Sequence, residues 1–399
     1  MKSLKSINKE NLSMHIISLI IFANIIQNGL LFAFNISINI FVQYILLLIL
    51  FWINNWNFEN KKVLMIIYIS IVIFLIDNIL FQQKNNITYF KQFFLYGFPA
   101  ISCFLIKIDF KKLNTVFLKY AIACIIPYIL SIVTNVNLIK LNYMTWGFAF
   151  AFCISYIYIY FSLNNRKKFI LNLCFIPLII LNISYGSKSS LIIIFLAISA
   201  SYYYNNRKSS VKKILILIFL CVIMSFWKEI VYFIISNLKE HFNLDTYSIN
   251  SFLLYLKQDF NSGFLGSRQD IYINALNVIK SNPFGIGIGG FEQLFGTYPH
   301  NFIIDIIVTF GVINGGIILL LMLLYTFNTL NLDINRDESI FLIFIIANFF
   351  KLFFSKTFTN DINFWLYLSI IGALLSTYRY KATKKIKLIN QKSRNVFLD

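Results

Sequence analysis

Long apolar blocks, broken by short polar turns, run along almost the whole chain. A membrane-crossing helix needs about 20 predominantly apolar residues. Blocks of roughly that kind lie at 12–34, 36–56, 63–82, 92–107, 113–134, 142–163, 169–186, 189–204, 213–235, 300–327, 339–355 and 362–379. They predict an all-α, polytopic membrane protein with about 12 transmembrane helices, of which 92–107 and 189–204 are the shortest. The first block is too long and too weakly punctuated for a cleaved signal, and no small-residue cleavage site follows it.

Composition agrees. Of 399 residues, 58% are hydrophobic and 13% charged, and mean hydropathy is +0.72. Soluble globular chains carry about 25% charged residues, so a soluble fold is excluded, as are disorder and collagen-like repeats. The formal charge of +19 would suggest nucleic acid in a soluble chain. In a membrane protein it marks cytoplasmic loops, which hold the lysine and arginine excess. With the N-terminus inside, the inner segments gather 24 of the 35 lysines and arginines, seven of them between Arg379 and Arg394. Both termini are therefore expected in the cytoplasm, and no nucleic-acid partner is expected. The five cysteines fall inside apolar blocks without paired spacing, which supports neither a disulfide framework nor a metal site.

The expected organisation is nine spans over 1–235, a large extracytoplasmic loop over 236–299 with short amphipathic helices, three spans over 300–379, and a basic cytoplasmic tail over 380–399. The loop is where chemistry concentrates. Ten of the fifteen glycines lie between Gly263 and Gly316, together with Pro283 and Pro299. Glycine and proline gather where the backbone takes unusual dihedrals or approaches a neighbour closely.

Within the loop, Ser267 followed by Asp270 has the pattern of a capping box. Ile271, Ala275, Val278 and Ile279 then give one helical face, ending at Ser281-Asn282-Pro283. Such a helix is expected to lie on the outer membrane surface with Arg268 at its start. Arg268 is the one arginine outside the cytoplasmic segments, a planar fork suited to phosphate; headgroup contact or loop pairing is the plainer alternative. Gly285-Ile286-Gly287-Ile288-Gly289-Gly290 matches G-x-G-x-x-G, but the dinucleotide motif needs a strand before it and a helix after it. A tight turn, its amides available to an anion, is the better reading.

Pro299-His300-Asn301 opens the tenth block. A histidine at a helix N-terminus is kept neutral by the dipole and able to accept a proton, against a plainer role as polar anchor. Gly311, eleven residues on, would share its face about 16 Å deeper, with Gly315 and Gly316 extending a small-residue packing surface. Lys188 sits in the tight turn Tyr185-Gly186-Ser187-Lys188, where snorkelling to headgroups also explains it. Asp77 and Lys351, ionisable groups in or near spans, are candidates by default, with no partner evident from spacing. Lys228 and Glu229 are adjacent and do not face each other on a helix. His15 reads as an anchor, and His241 is undecided.

The stretch from Gly266 to Tyr325 resembles the signature region of the O-antigen polymerase and O-antigen ligase superfamily: an arginine, an amphipathic segment, Asn-Pro-Phe-Gly-x-Gly, then His-Asn opening a span, with glycine eleven residues after the histidine. Arg268, Asn282 to Gly287, His300-Asn301 and Gly311 match in that order. Members carry a second outer Ser-Arg turn; here it is Ser187-Lys188, which keeps the charge and loses the fork. The resemblance implies an inner-membrane glycosyltransferase, inverting and needing no metal or other cofactor, acting on oligosaccharides linked through pyrophosphate to undecaprenol. It implies that Arg268 and Lys188 hold the pyrophosphate, that Arg268 and His300 are catalytic, with His300 receiving the acceptor's proton, and that Asn301, Gly285, Gly287 and Gly311 support them. The bilayer, a chain-length regulator and a flippase are the other partners it implies.

Repeat-unit polymerisation into O-antigen or capsule is the leading reading. O-antigen ligation to lipid A–core shares its donor and chemistry. A lipid-linked oligosaccharide flippase would show internal repeats and midplane sites on broken helices, and neither is evident in the sequence.

Overall fold

The computed structural model describes residues 2–34, 41–83, 85–133, 143–164, 168–205, 268–330, 334–354 and 357–378, together with Leu332 and scattered positions between 232 and 253. Helices form α1 (Lys2–Phe34), α2 (Val42–Ile53), α3 (Lys61–Phe81), α4 (Asn86–Gln92), α5 (Phe98–Ser102), α6 (Phe110–Val133), α7 (Tyr143–Leu163), α8 (Lys168–Tyr185), α9 (Lys188–Asn205), α10 (Gln269–Ser281), α11 (Gly290–Phe295), α12 (Phe302–Leu330) and α13 (Arg336–Phe349). A last helix, α14, covers Ile362–Tyr378. No strand occurs among the described residues, so the all-α expectation holds.

Five of these helices are long and apolar enough to cross a membrane: Lys9–Leu31, Lys61–Phe81, Phe110–Ile132, Tyr143–Leu163 and Phe302–Leu330. Val42–Ile53, Phe175–Tyr185, Ser189–Asn205 and Ile362–Tyr378 are shorter apolar helices. The block at 36–56 thus yields only a twelve-residue helix. The block at 92–107 is split, with a π-helical turn at Phe93–Gly97 joining α4 to α5. The block at 213–235 lies almost wholly outside the described residues, as do Lys228, Glu229, Ser267 and the basic tail.

The bundle core sits where α1, α6, α7, α9 and α13 pack together. Its centre is aromatic: the Phe117 ring lies 4.5 Å from both Phe22 and Tyr156, and 5.3 and 5.5 Å from Phe341 and Phe344. Such tilted and edge-on pairs exploit the ring quadrupole. Polar groups among these rings pair with one another, as membrane burial favours. The Trp146 indole donates to Ser131 Oγ at 3.2 Å, and the Tyr156 hydroxyl donates to Asn114 Oδ1 at 2.9 Å.

Two near-membrane charges that the sequence left without partners acquire them. Lys351 Nζ lies 2.7 Å from Asp361 Oδ2 and 4.8 Å from the centre of the Phe148 ring. Asp361 Oδ1 accepts from the backbone and side-chain amides of Asn363 at 2.9 and 2.8 Å. Asp77 is buried on α3 and accepts from the Ile288 N–H at 2.9 Å and from the Asn86 side-chain amide. His15 Nδ1 faces the Tyr120 hydroxyl at 3.4 Å, consistent with an anchor. His241 is exposed.

Candidate functional site

The glycine-rich segment does its work at a break in α12. Gly311 has φ +82° and ψ 171° inside that helix, a conformation that is essentially glycine-only. The break frees carbonyls and amides that a continuous helix would pair. The Val308 and Thr309 carbonyls instead accept from Ile286 N–H at 3.0 Å and Gly287 N–H at 3.1 Å, and Val312 N–H donates to the Pro283 carbonyl at 2.9 Å. The loop 283–287 therefore repairs the helix it crosses, which is how broken helices are tolerated at membrane depth. Contact is close on both sides. A Cβ on Gly285 would lie 2.3 Å from Thr309 O, and one on Gly311 would lie 2.4 Å from Pro283 O.

This corrects two expectations. Gly311 does not continue the face of His300; it ends that half of the helix. The chain then folds back sharply. A Cβ on Gly315 would sit 2.9 Å from the Ile306 carbonyl oxygen, whereas residues nine apart on a straight helix are separated by about 13 Å. Gly315 thus serves packing, but against the other half of α12. Gly316 has open space at its Cβ position.

The amides of the glycine turn are also spoken for. With φ of +89°, +80° and +78° at Gly285, Gly287 and Gly289, Ile286 and Ile288 point inward and are buried. The Ile288 N–H meets the Asp77 carboxylate, and Gln83 Nε2 donates to Ile286 O at 3.0 Å. The anion this turn faces is Asp77, on the protein itself.

α10 starts at Gln269 with Arg268 as N-cap and without a side-chain cap hydrogen bond. Its apolar face is covered by protein rather than lipid alone. Ala275 and Val278 pack with Ile286, Phe291 and Val308 into one small core that includes Ile271 and Ile279 at its edge. That packing brings Arg268 back towards His300, 32 residues on in sequence.

His300 precedes the helix rather than opening it. The cap is Asn301, whose Oδ1 accepts from Ile303 N–H at 3.0 Å and Ile304 N–H at 3.3 Å, so the supporting role expected of Asn301 is to start α12. His300 itself has φ +56°, a left-handed conformation costing a non-glycine residue about 1–2 kcal/mol. Its ring lies 4.0 Å from Tyr298, and Nε2 is 3.5 Å from Thr297 Oγ1. Nδ1 is buried and has no hydrogen-bond partner among the described residues. Burial first, and the Arg268 charge second, push the His300 pKa down to about 4. The imidazole is neutral at neutral pH, as expected, but the cause is burial and Arg268 rather than the helix dipole.

Lys188 is the first residue of α9; its side chain lies outside the described residues. The turn before it is fixed. Ser190 N–H donates to Ser187 Oγ at 3.2 Å, Ser190 Oγ to Asn182 Oδ1 at 2.7 Å, and Asn182 Nδ2 to Gly147 O at 3.1 Å.

Next to His300 the wall residues Tyr298 and Pro299 lead into a small cleft, with room for about one water molecule, that also touches Glu292, Asp305, Thr309 and Thr357. Burial raises the Glu292 pKa to about 7. Neither Glu292 nor Asp305 stood out in the sequence. Asp305 was findable by the rule that singled out Asp77, since it is a carboxylate within an apolar block; Glu292 offered no pattern signal.

Residues 170–321 match the family model described as O-antigen ligase. The matched segment contains Lys188, Arg268, the glycine turn, His300 and Gly311, and it supports the O-antigen ligase and polymerase superfamily. No curated protein and no solved structure matches the chain.

Proposed function

We propose that this chain, an O-antigen ligase or polymerase-type membrane protein of polysaccharide biosynthesis, polymerises undecaprenyl-pyrophosphate-linked repeat units into O-antigen or capsular polysaccharide at the outer face of the cytoplasmic membrane. The observation carrying this reading is that the Arg268 charge lies near enough to His300 to lower the pKa of an imidazole already depressed by burial. A cation near a neutral, half-buried imidazole whose Nδ1 has no partner among the described residues suits displacement of a pyrophosphate by a hydroxyl.

In that step the acceptor oxygen attacks the anomeric carbon and the bond to the pyrophosphate oxygen breaks. Arg268, with Lys188, takes the charge gathering on the leaving group. The hydroxyl proton passes to His300. No metal or other cofactor enters this scheme.

Ligation of finished polymer to lipid A–core uses the same donor, and the description of the matching family model favours keeping it as the second reading. A strain lacking the gene separates the two. Polymerase loss leaves single repeats on the lipid carrier and no glycan ladder; ligase loss leaves long polymer on undecaprenyl pyrophosphate. An unchanged glycan and carrier pool would reject both.

A further inference from the structure

Lys351 is a cation that the transfer scheme leaves unused. It sits on the turn Phe350–Phe353 that follows α13, with its ammonium 2.7 Å from Asp361 Oδ2 and 4.8 Å from the centre of the Phe148 ring. The two ends of this pair differ in access: the lysine side chain is 12% exposed and the aspartate 1%. An ammonium carries three donors. Asp361 takes one side and the Phe148 face another, and no other acceptor contacts Lys351 among the described residues. Asp361 is held independently, since Asn363 gives it both a backbone and a side-chain amide. The pair encloses its carboxylate and leaves the cation with donor capacity in hand.

The chain around the pair borders the proposed site on two sides. Phe302, two residues past His300, packs its ring 5.1 Å from Phe349 and 5.9 Å from Phe353, the residues flanking Lys351. Thr359, two residues before Asp361, lines the small cleft with Tyr298 and Pro299. Phe148 follows Gly147, where a Cβ would lie 2.5 Å from the backbone nitrogen of Ser187, the residue before Lys188. Lys351 thus lies between the turn that starts α9 and the His300 segment that leads into α12. An ion pair taken out of water is weak evidence of a stabilising role, because apolar substitutes are often as stable. Arg268 and Lys188 can balance a bound pyrophosphate diester; the extra charge that appears on the leaving oxygen calls for a further cation.

We propose that Lys351 is a further pyrophosphate-binding cation, held ready by Asp361 and shared between that carboxylate and the phosphate oxygens. In the transfer step the electron pair of the breaking anomeric C–O bond stays on the pyrophosphate oxygen. Lys351 keeps its proton and balances the added charge through a charge-assisted hydrogen bond. Asp361 is a positioning residue: it sets the ammonium over Phe148 and competes with the anion for it. This rests on the glycosyl-transfer reading and holds for polymerase and ligase alike, since the donor is the same.

The test measures binding of inorganic pyrophosphate, and transfer from the lipid-linked repeat, by the full chain in phosphatidylcholine nanodiscs, where no anionic headgroup competes. Sharing predicts opposite effects from the two ends of the pair. Asp361→Asn keeps an acceptor oxygen for Asn363 and frees the ammonium, so pyrophosphate should bind about threefold tighter. Lys351→Gln combined with Asp361→Asn makes a neutral pair that preserves both a hydrogen bond and the net charge. It should bind pyrophosphate about tenfold more weakly than wild type, the loss of roughly one charge-assisted hydrogen bond, and raise the donor KM with it. Lys351→Arg should restore both. Wild-type pyrophosphate affinity in the double variant, whatever its melting temperature, would mean a purely structural pair and overturn the assignment. Weaker binding by folded Asp361→Asn would contradict the sharing. If the double variant instead loses only retention of phosphatidylglycerol, Lys351 is a lipid-headgroup contact and the assignment also falls. If the wild-type protein neither binds pyrophosphate nor transfers, it is the transfer reading that fails.

Discussion

Two long apolar helices, α7 and α12, show opposite ways of using a hydrophobic sequence. Over its most apolar window α7 is 83% buried in the protein, whereas α12, the more apolar of the two, is 28% buried. In water the more hydrophobic element would be the inner one. In a bilayer, lipid is as apolar as a leucine core, so hydrophobicity alone does not drive one helix inside another. What marks the inner helix is its small, aromatic and polar content: Gly147 against the Ser187 turn, Trp146 donating to Ser131, and Ser155 and Tyr156 fully buried. α7 is continuous and packs all round. α12 is broken, stitched to a loop, and flanked by every candidate catalytic group whose side chain is described.

The contrast is most sharply broken at the stitch. Gly311→Ala or Gly285→Ala should destabilise the fold by about 3 kcal/mol or more, because the new Cβ meets backbone and the dihedral is forbidden to it. Gly316→Ala, in open helical space, should be neutral or stabilising by up to about 1 kcal/mol. Melting in detergent, read by the loss of the monodisperse peak, compares the three. On α7, Phe150→Ala, which empties a fully buried position, should cost about 3–5 kcal/mol by the same readout.

Chemistry and stability should then come apart at His300. His300→Gly removes the imidazole and relieves the +56° backbone, so melting should hold or rise while transfer falls at least ~10²-fold. Asp77→Ala removes the acceptor for Ile288 N–H and Asn86, a loss of about 1–3 kcal/mol; Asp77→Asn, which retains one acceptor oxygen, should cost less.

A smaller effect lies in proton binding. His300 should titrate near 4 by NMR of its ring protons, and Arg268→Gln should move it upward by removing a like charge. The folded pKa lies below the ordinary imidazole value of 6.5, so the unfolded chain binds the proton first. This residue's part in stability is therefore whole above pH 6.5 and declines as pH falls towards 4. Smallest of all, Leu323→Ala on the outer face of α12, 67% exposed, should stay within about 0.5 kcal/mol.

The apolar blocks were legible because a span is a matter of length and composition, and most described helices begin and end within a few residues of their blocks. The break at Gly311 was not, since the pattern around it stays apolar on both sides and the hydrogen bonds replacing the helix come from residues 283–287. The G-x-G-x-x-G pattern predicts the tight turn that forms, but not that its Ile288 N–H is taken by Asp77, which comes from a helix some 200 residues earlier. Arg268 and His300 stand out in the sequence by residue type and place; their mutual approach depends on α10 packing against α12, which no spacing rule encodes. Glu292 and Asp305 come near each other because the turn between α11 and α12 brings the two helices together, which no spacing rule encodes.

The most direct test is complementation of the deletion strain with wild type, His300→Gly and Arg268→Gln at matched protein levels, read as the surface-glycan ladder. Restoration by wild type alone, with both variants present in the membrane at normal amount, is the expected result. A full ladder from His300→Gly would contradict a transfer site at His300, whatever the fold around it.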